Sequence, residues 1–296
     1  MDTQTLEFHK IKEWHDMGYL GEGINVLEME TASSEHGLDV VQTFSSVAPK
    51  ANVMLGNINY TIIDNELSDI TINDMLFDEF VATNKIDIIM NSQSNRVIGG
   101  GMDSKVEDYL SSFENIIYIG SAGNAGIDGV TGKFENIGIM IGAAFVHNDG
   151  SIRREKYSGV EDTIDFACLH GYLEGTSFAS PVFGGMVALI ESRYGKILQS
   201  EIVNIFRDLT AGQYNSELGW GVPVLTKNIE RLEVDMNIRL QINNNVAHVD
   251  GKKVLLDTPP VIKNGRTLVP LRFIAENLGC KVDWIADSKE IIIKKL

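Results

Sequence analysis

The chain has 296 residues, of which 44% are hydrophobic and 22% charged, with a formal net charge of −16. This is a soluble globular composition with room for one large domain and a small one. It argues against nucleic acid as a partner, and no apolar run is long enough to span a bilayer.

The elements follow in chain order. The N-terminal stretch "MDTQTLEFHKIKEWHDMGYL" has no apolar core of a secretory leader, which points to the cytoplasm. Residues 23–29 read as a strand after the turn "YLGEG", and 48–59 carry a second strand. A helix is expected over 72–85 and a short buried strand over 86–92. Residues 105–113 read as a helix. Residues 115–124 and 136–146 read as buried strands, the first ending in the Gly-rich "GSAGNAG". A helix follows "GTSFASP" (175–181), another covers 201–209, and "LGWGVPVL" (218–225) closes the domain. Strands alternating with helices predict an α/β fold, a parallel sheet with helices on both faces. In such sheets the chemistry gathers at the carboxyl ends of the strands.

Two domains are expected, 1–230 and 237–296. The first 235 residues hold 15 Lys/Arg against 35 Asp/Glu, and the remainder 10 against 6. That reversal of sign marks a boundary. Cys168 and Cys280 fall one in each domain, far apart and without metal-ligand spacing, so two reduced thiols are expected.

"GTSFASP" carries the chemistry. A serine before a helix is ordinary capping material. Here, however, Pro181 stands four residues after Ser177, where a helix normally avoids proline. A serine at a helix start has its hydroxyl exposed to the positive end of the dipole, which suits a nucleophile. The string resembles the G-T-S-x-A-x-P motif of subtilisin-like serine proteases. "HGLDVVQTFSSVAPKA" resembles that family's base segment, H-G followed by a helix and A-P-x-A, and implies His36 as general base. Gly123-Asn124-Ala125-Gly126 fits the family's G-N-x-G and implies Asn124 as oxyanion donor. The resemblance covers about residues 8–228. It implies a serine endopeptidase acting on protein or peptide through an acyl-enzyme.

The orienting acid departs from the family. Counted from the shared G-x-G-[VI], Glu30 falls where the family has Asp, and Glu28 lies one side-chain alternation earlier on the same strand face. Both remain open. A second machine overlaps the first. Glu35 and Asp39, in "EHGLD", have the E-x-x-x-D spacing of the sedolisins, acid-active relatives with a Glu base backed by Asp. A third alternative is an inactive pseudoprotease retained as a binding or signalling module. The strand ending "MNSQS" resembles the family's substrate-pairing edge, implying that Ser92, Gln93 and Ser94, with Gly123, bind substrate. No protein ligands for a metal are recognisable; the resemblance allows a structural calcium ion.

The tail core "PPVIKNGRTLVPLRFIAENLG" resembles the small domain named after the N-terminus of copper amine oxidases, frequent in surface proteins of Gram-positive bacteria. His248 is its one histidine, so a non-catalytic α+β stalk or attachment module is expected, with a cell-wall or surface component as partner. The tail thus points to the cell exterior. Its helix (269–277) is expected to bury Leu268, Leu271, Ile274 and Leu278, and Ile291–Ile293 to form a core strand.

Overall fold

The structure, a computed structural model, describes residues 2–30, 34–63, 66–92, 104–113, 115–126, 137–159, 164–210, 212–227, 229, 238–249, 252–278 and 280–295. The chain divides into two compact units, Met1–Ile229 and Glu230–Leu296.

In the first unit two short helices, α1 (Thr3–Phe8) and α2 (Ile11–Asp16), precede strand β1 (Asn25–Glu28), helix α3 (Glu35–Val47) and strand β2 (Asn52–Leu55). An antiparallel meander follows, β3 (Ile58–Ile63), β4 (Glu66–Ile72) and β5 (Met75–Leu76), then α4 (Phe77–Asn84), β6 (Ile88–Asn91) and α5 (Ser104–Ser111). The rest is β7 (Ile117–Ser121), β8 (Ile139–Val146), β9 (Ile152–Arg154), β10 (Phe166–Leu169), α6 (Thr176–Tyr194) and α7 (Gln199–Thr210). The central sheet has the order β10-β8-β7-β6-β1-β2, all parallel, with β9 antiparallel on β8.

Alternate residues of the central strands enter two apolar layers, as a sheet covered on both faces requires. Val26, Ile88, Met90, Ile117 and Ile119 join one layer with Phe44, Val47 and Phe183 from α3 and α6. Leu27, Ile89 and Tyr118 join the other with Phe77, Phe80, Val106 and Leu110 from α4 and α5. From β1 the chain crosses to β2 on one side and later to β6 on the other, so the strand order reverses between β1 and β6. Their carboxyl ends open the crevice where such folds place ligands.

α6 is buried on every side from Thr176 to Glu191. It lies so close to its neighbours that a Cβ on Gly184 would collide with Met90, and one on Gly185 with Val47. Either methyl group would cost about 1–3 kcal/mol in overpacking. The N-terminal helices are pinned through His9, which is fully buried. Its Nδ1 is 2.7 Å from the Pro223 carbonyl and its Nε2 accepts from Leu169 N–H at 3.2 Å. These partners fix the neutral tautomer with the proton on Nδ1, and burial pulls the pKa down to about 4.

The expected helix over 72–85 begins only at Phe77. Asn73 and Asp74 both adopt positive φ (49° and 65°) and turn β4 into β5. Two such residues between short strands form a hairpin turn, which overrides the apolar periodicity. α1, α2, β3, β4, β9 and β10 are additional elements that the sequence reading lacked.

The second unit holds β11 (Ile238–Arg239), β12 (Val246–Val249) and β13 (Lys252–Leu255) in one antiparallel sheet, and the hairpin β14 (Val261–Lys263) and β15 (Arg266–Leu268). Helix α8 (Leu271–Asn277) and the hairpin β16 (Cys280–Ile285) and β17 (Glu290–Lys295) complete it. Here the burial expectation fails. Leu268, Leu271 and Leu278 are 48%, 43% and 56% exposed. Ile291 and Ile293 are 54% and 47% exposed, so they are no core strand. α8 packs on β16, and the residues buried there are Ala275 and Val282. A short helix seated through a single small side chain leaves its leucines outside.

Candidate active site

Glu30, His36 and Ser177 come from three places: the turn after β1, the first turn of α3 and the first turn of α6. β1 ends at Glu28, where the chain bends and Glu30 N–H donates to Glu28 C=O at 2.9 Å. This turn breaks the alternation that would put Glu28 and Glu30 on one face. Glu30, 5% exposed, swings toward α3, and its Oε2 lies 3.0 Å from His36 Nδ1. His36 Nε2 lies 3.0 Å from Ser177 Oγ. One imidazole therefore bridges a carboxylate and a hydroxyl. With Nδ1–H donating to Glu30, Nε2 is left to accept from Ser177.

Ser34 holds this end of the site. Its Oγ accepts from Gly37 N–H at 2.8 Å as the N-cap of α3, and its hydroxyl donates to Glu30 Oε1 at 3.4 Å. One side chain thus ties the helix that carries the base to the acid that faces it. On the other side the Phe178 ring centroid is 5.4 Å from that of His36.

Ser177 is the second residue of α6. Its N–H therefore has no acceptor within the helix, and the helix dipole is positive there. Pro181 lacks the N–H that would return to the Ser177 carbonyl four residues back. Gly175, the N-cap, adopts φ +142°, a conformation that side chains rarely take. Its N–H donates to Tyr157 Oη at 3.0 Å, which anchors the loop ahead of the helix.

Asn124 is oriented by Thr176, whose N–H and Oγ1 both donate to Asn124 Oδ1, at 2.8 and 3.0 Å. With Oδ1 committed, Nδ2 is the free donor. A Cβ built on Gly175 would lie 3.0 Å from Ser177 Oγ and 3.6 Å from Asn124 Nδ2. Nucleophile and donor thus face one small space that stays open because residue 175 has no side chain.

The other expected residues lie differently. Glu28 is fully buried and does not face His36. Its Oε1 accepts from Ser92 N–H at 2.9 Å and its Oε2 is 3.2 Å from Ser92 Oγ. Burial pushes its pKa up to about 8. Ser92, expected to bind substrate, is itself 1% exposed, with its N–H and hydroxyl turned to Glu28 and Ser180. Gly123 is also buried, and its N–H donates to Thr176 Oγ1 at 3.1 Å. Glu35 is exposed and Asp39 half-buried on α3; the imidazole of His36 occupies the place beside Ser177 that the sedolisin pattern gives to a Glu base. Gln93 and Ser94 lie outside the described residues. Among the described residues no group of three or more His, Cys, Asp or Glu side chains could hold a metal ion. Also among them, no helix is long and apolar enough to cross a membrane.

Sequence reasoning missed Ser34 and Thr176. The signal for Ser34 is its place one residue before a helix start. That for Thr176 is its adjacency to the nucleophile, in a motif whose threonine was treated as spacing.

Comparison with known proteins fits this architecture. The structure is similar to fervidolysin from Fervidobacterium pennivorans, a keratinolytic enzyme related to subtilisin, with a TM-score of 0.53 and 15% identity. That match covers 75% of this chain but only 44% of fervidolysin. It is also similar to a cold adapted subtilisin-like serine proteinase, with a TM-score of 0.52, 14% identity, and 71% and 91% of the two chains covered. For Sphericase the figures are 0.52, 15%, 70% and 92%. A search of curated proteins found no match. Residues 218–293 match the family model of the copper amine oxidase N-terminal domain, a stretch that begins inside the first compact unit. At these identities the structural likeness is one of fold: the N-terminal unit has the fold of the subtilisin-like proteases, and a copper amine oxidase N-terminal-like region overlaps its last residues and runs on to residue 293.

Proposed function

We propose that the N-terminal unit is a serine endopeptidase that cleaves protein or peptide through an acyl-enzyme. The observation that carries this reading is the Glu30–His36–Ser177 relay, with both links at 3.0 Å. Ser177 Oγ attacks the scissile carbonyl as its proton passes to His36 Nε2. Glu30 holds the imidazole by Nδ1 and stabilises the imidazolium that forms. The tetrahedral oxyanion takes the space beside Gly175, with Asn124 Nδ2 and the Ser177 N–H as donors. Collapse expels the amine, which receives the proton from His36. A water activated by the same imidazole then releases the acid product.

A glutamate serves as the orienting acid because the loop to α3 is short: the carboxylate has one more methylene than Asp and starts from a turn that already bends toward the helix. The second unit is assigned an accessory, non-catalytic role, supported by its match to a copper amine oxidase N-terminal-like region and by its single histidine, His248. The test is a fluorophosphonate probe on the intact chain, followed by peptide mapping. Labelling at Ser177 that is absent from Ser177→Ala supports the reading. An unlabelled wild type that also leaves casein intact contradicts it.

A further inference from the structure

Glu28, Ser92 and Ser180 form a polar cluster inside the apolar layer between the sheet and α6. They are 0%, 1% and 0% exposed. Ser92 N–H donates to Glu28 Oε1 at 2.9 Å, Ser92 Oγ is 3.2 Å from Glu28 Oε2, and the two serine hydroxyls are 3.2 Å apart. A buried carboxyl is costly, and an apolar side chain would fill the same volume without that cost. Part of the explanation is local. Ser92 follows the end of β6, so its N–H has left the ladder and needs an acceptor. A backbone N–H needs only one acceptor atom, however, and the second carboxyl oxygen goes on through Ser92 to Ser180.

The position of Ser180 gives the cluster its meaning. It stands three residues after Ser177 on α6, on the same face one turn deeper. Glu28 stands two residues before Glu30, and Glu30 N–H is bonded back to the Glu28 carbonyl. The cluster therefore joins the root of the strand that carries the acid to the root of the helix that carries the hydroxyl. We propose that Glu28 is a positioning residue of the site, a clamp that acts through Ser92 and Ser180 to hold Glu30–His36 and Ser177 at bonding distance. The inference rests on the peptidase reading for its kinetic consequences, not for its geometry.

The protonation state follows from the surroundings. In the sheet Glu28 is paired with Leu55 on β2 and Met90 on β6. From the end of β6 it meets the hydroxyl of Ser92, which in turn meets that of Ser180 on α6, and among the described residues the charge that acts on it is that of Glu30. Among the described residues no cation acts on it, and burial pushes its pKa up to about 8, so the neutral acid prevails at pH 7. As a neutral acid Glu28 donates from Oε2 to Ser92, which donates to Ser180. As a carboxylate it reverses both donors and sets a second negative charge beside Glu30.

The test uses E28L and E28Q in the full chain, with probe labelling and peptide hydrolysis followed from pH 6 to 10. E28L removes the clamp; kcat is expected to fall about 10²-fold, the cost of roughly an ångström of misplacement, with KM changed less than about threefold. E28Q, a permanent mimic of the neutral acid, is expected to restore most of that loss. It is also expected to abolish an alkaline fall that the wild type shows near pH 8. E28L with wild-type kcat, or superimposable alkaline profiles for wild type and E28Q, overturns the clamp. A readout independent of activity separates this from the peptidase reading: the infrared carbonyl band of a buried protonated carboxyl. The clamp requires that band in wild type, its loss in E28Q and its shift in S180A. Its absence from wild type overturns the proposal even if Ser177 is labelled; a wild type that no probe labels refutes the peptidase reading, and the band still decides the clamp.

Discussion

Glu30 Oε2 lies 3.0 Å from His36 Nδ1, although only five residues separate the two in the chain. Acid and base thus belong to one strand-to-helix connection, with Ser34 as its brace. Glu30→Gln keeps the shape but favours the wrong imidazole tautomer, and kcat is expected to drop about 10⁴-fold. Ser34→Ala acts mainly on the helix, with a stability loss of about 1 kcal/mol from the missing cap. Steady-state kinetics and denaturant titration separate the two effects. A Glu30→Gln variant with near-wild-type kcat would show that the contact is not used.

Asn124 contributes through a side chain that Thr176 turns the right way round. Asn124→Ala is expected to lower kcat about 10²–10³-fold with little change in KM, because the donor acts on the oxyanion rather than on the bound ground state. Thr176→Val keeps the volume but removes one of the two donors to Oδ1, and a smaller loss of the same kind is expected. A rise in KM at constant kcat for Asn124→Ala would move this residue out of the oxyanion site and into substrate binding.

Gly175 is constrained twice, by its φ of +142° and by the 3.0 Å that a Cβ would leave to Ser177 Oγ. Gly175→Ala is therefore expected to abolish probe labelling at Ser177 while the secondary structure seen by circular dichroism is kept. Full labelling of that variant would mean that the space beside Gly175 is not where the substrate carbonyl sits.

His9 gives a stability signature unrelated to the site. Its folded pKa, about 4, lies below the ordinary value of 6.5, so between these values the unfolded chain holds a proton that the folded chain does not. Its contribution is complete above about pH 6.5 and is lost as pH falls toward 4, at up to about 1.4 kcal/mol per unit. Glu28 and Glu191, whose pKa values are raised by burial to about 8 and about 7, act in the opposite direction, losing stability as pH rises from 4.5. The test is accordingly the difference between wild type and His9→Gln in denaturant titrations at pH 7 and pH 5. The wild type should lose more stability than the variant on acidification; equal losses would show that His9 is protonated in the fold.

The alternation of strands and helices was legible because buried parallel strands are continuous apolar runs, as in Ile88–Met90 and Ile116–Ile119. Ser177 and His36 were legible because each sits in a recognisable motif; in that of Ser177, Gly175 is required by its φ of +142°. The choice between Glu28 and Glu30 was not legible. A strand period of two puts both on one face, and only the turn that bonds Glu30 N–H to Glu28 C=O separates them. The β4–β5 hairpin was hidden for a similar reason: Asn73 and Asp74 interrupt an apolar pattern that suits a helix equally well. The tail misled differently. Its leucines and isoleucines have the spacing of a core, yet Ala275 and Val282 are what that helix and strand bury.

The most direct measurement is the pH dependence of fluorophosphonate labelling at Ser177 in wild type, His36→Ala and Glu35→Gln. If His36 takes the serine proton, wild type labels at neutral and mildly alkaline pH, Glu35→Gln labels nearly as fast, and His36→Ala is slower by about 10⁴-fold or more. Labelling that peaks in acid, persists in His36→Ala and vanishes in Glu35→Gln would contradict the account and hand the base to Glu35.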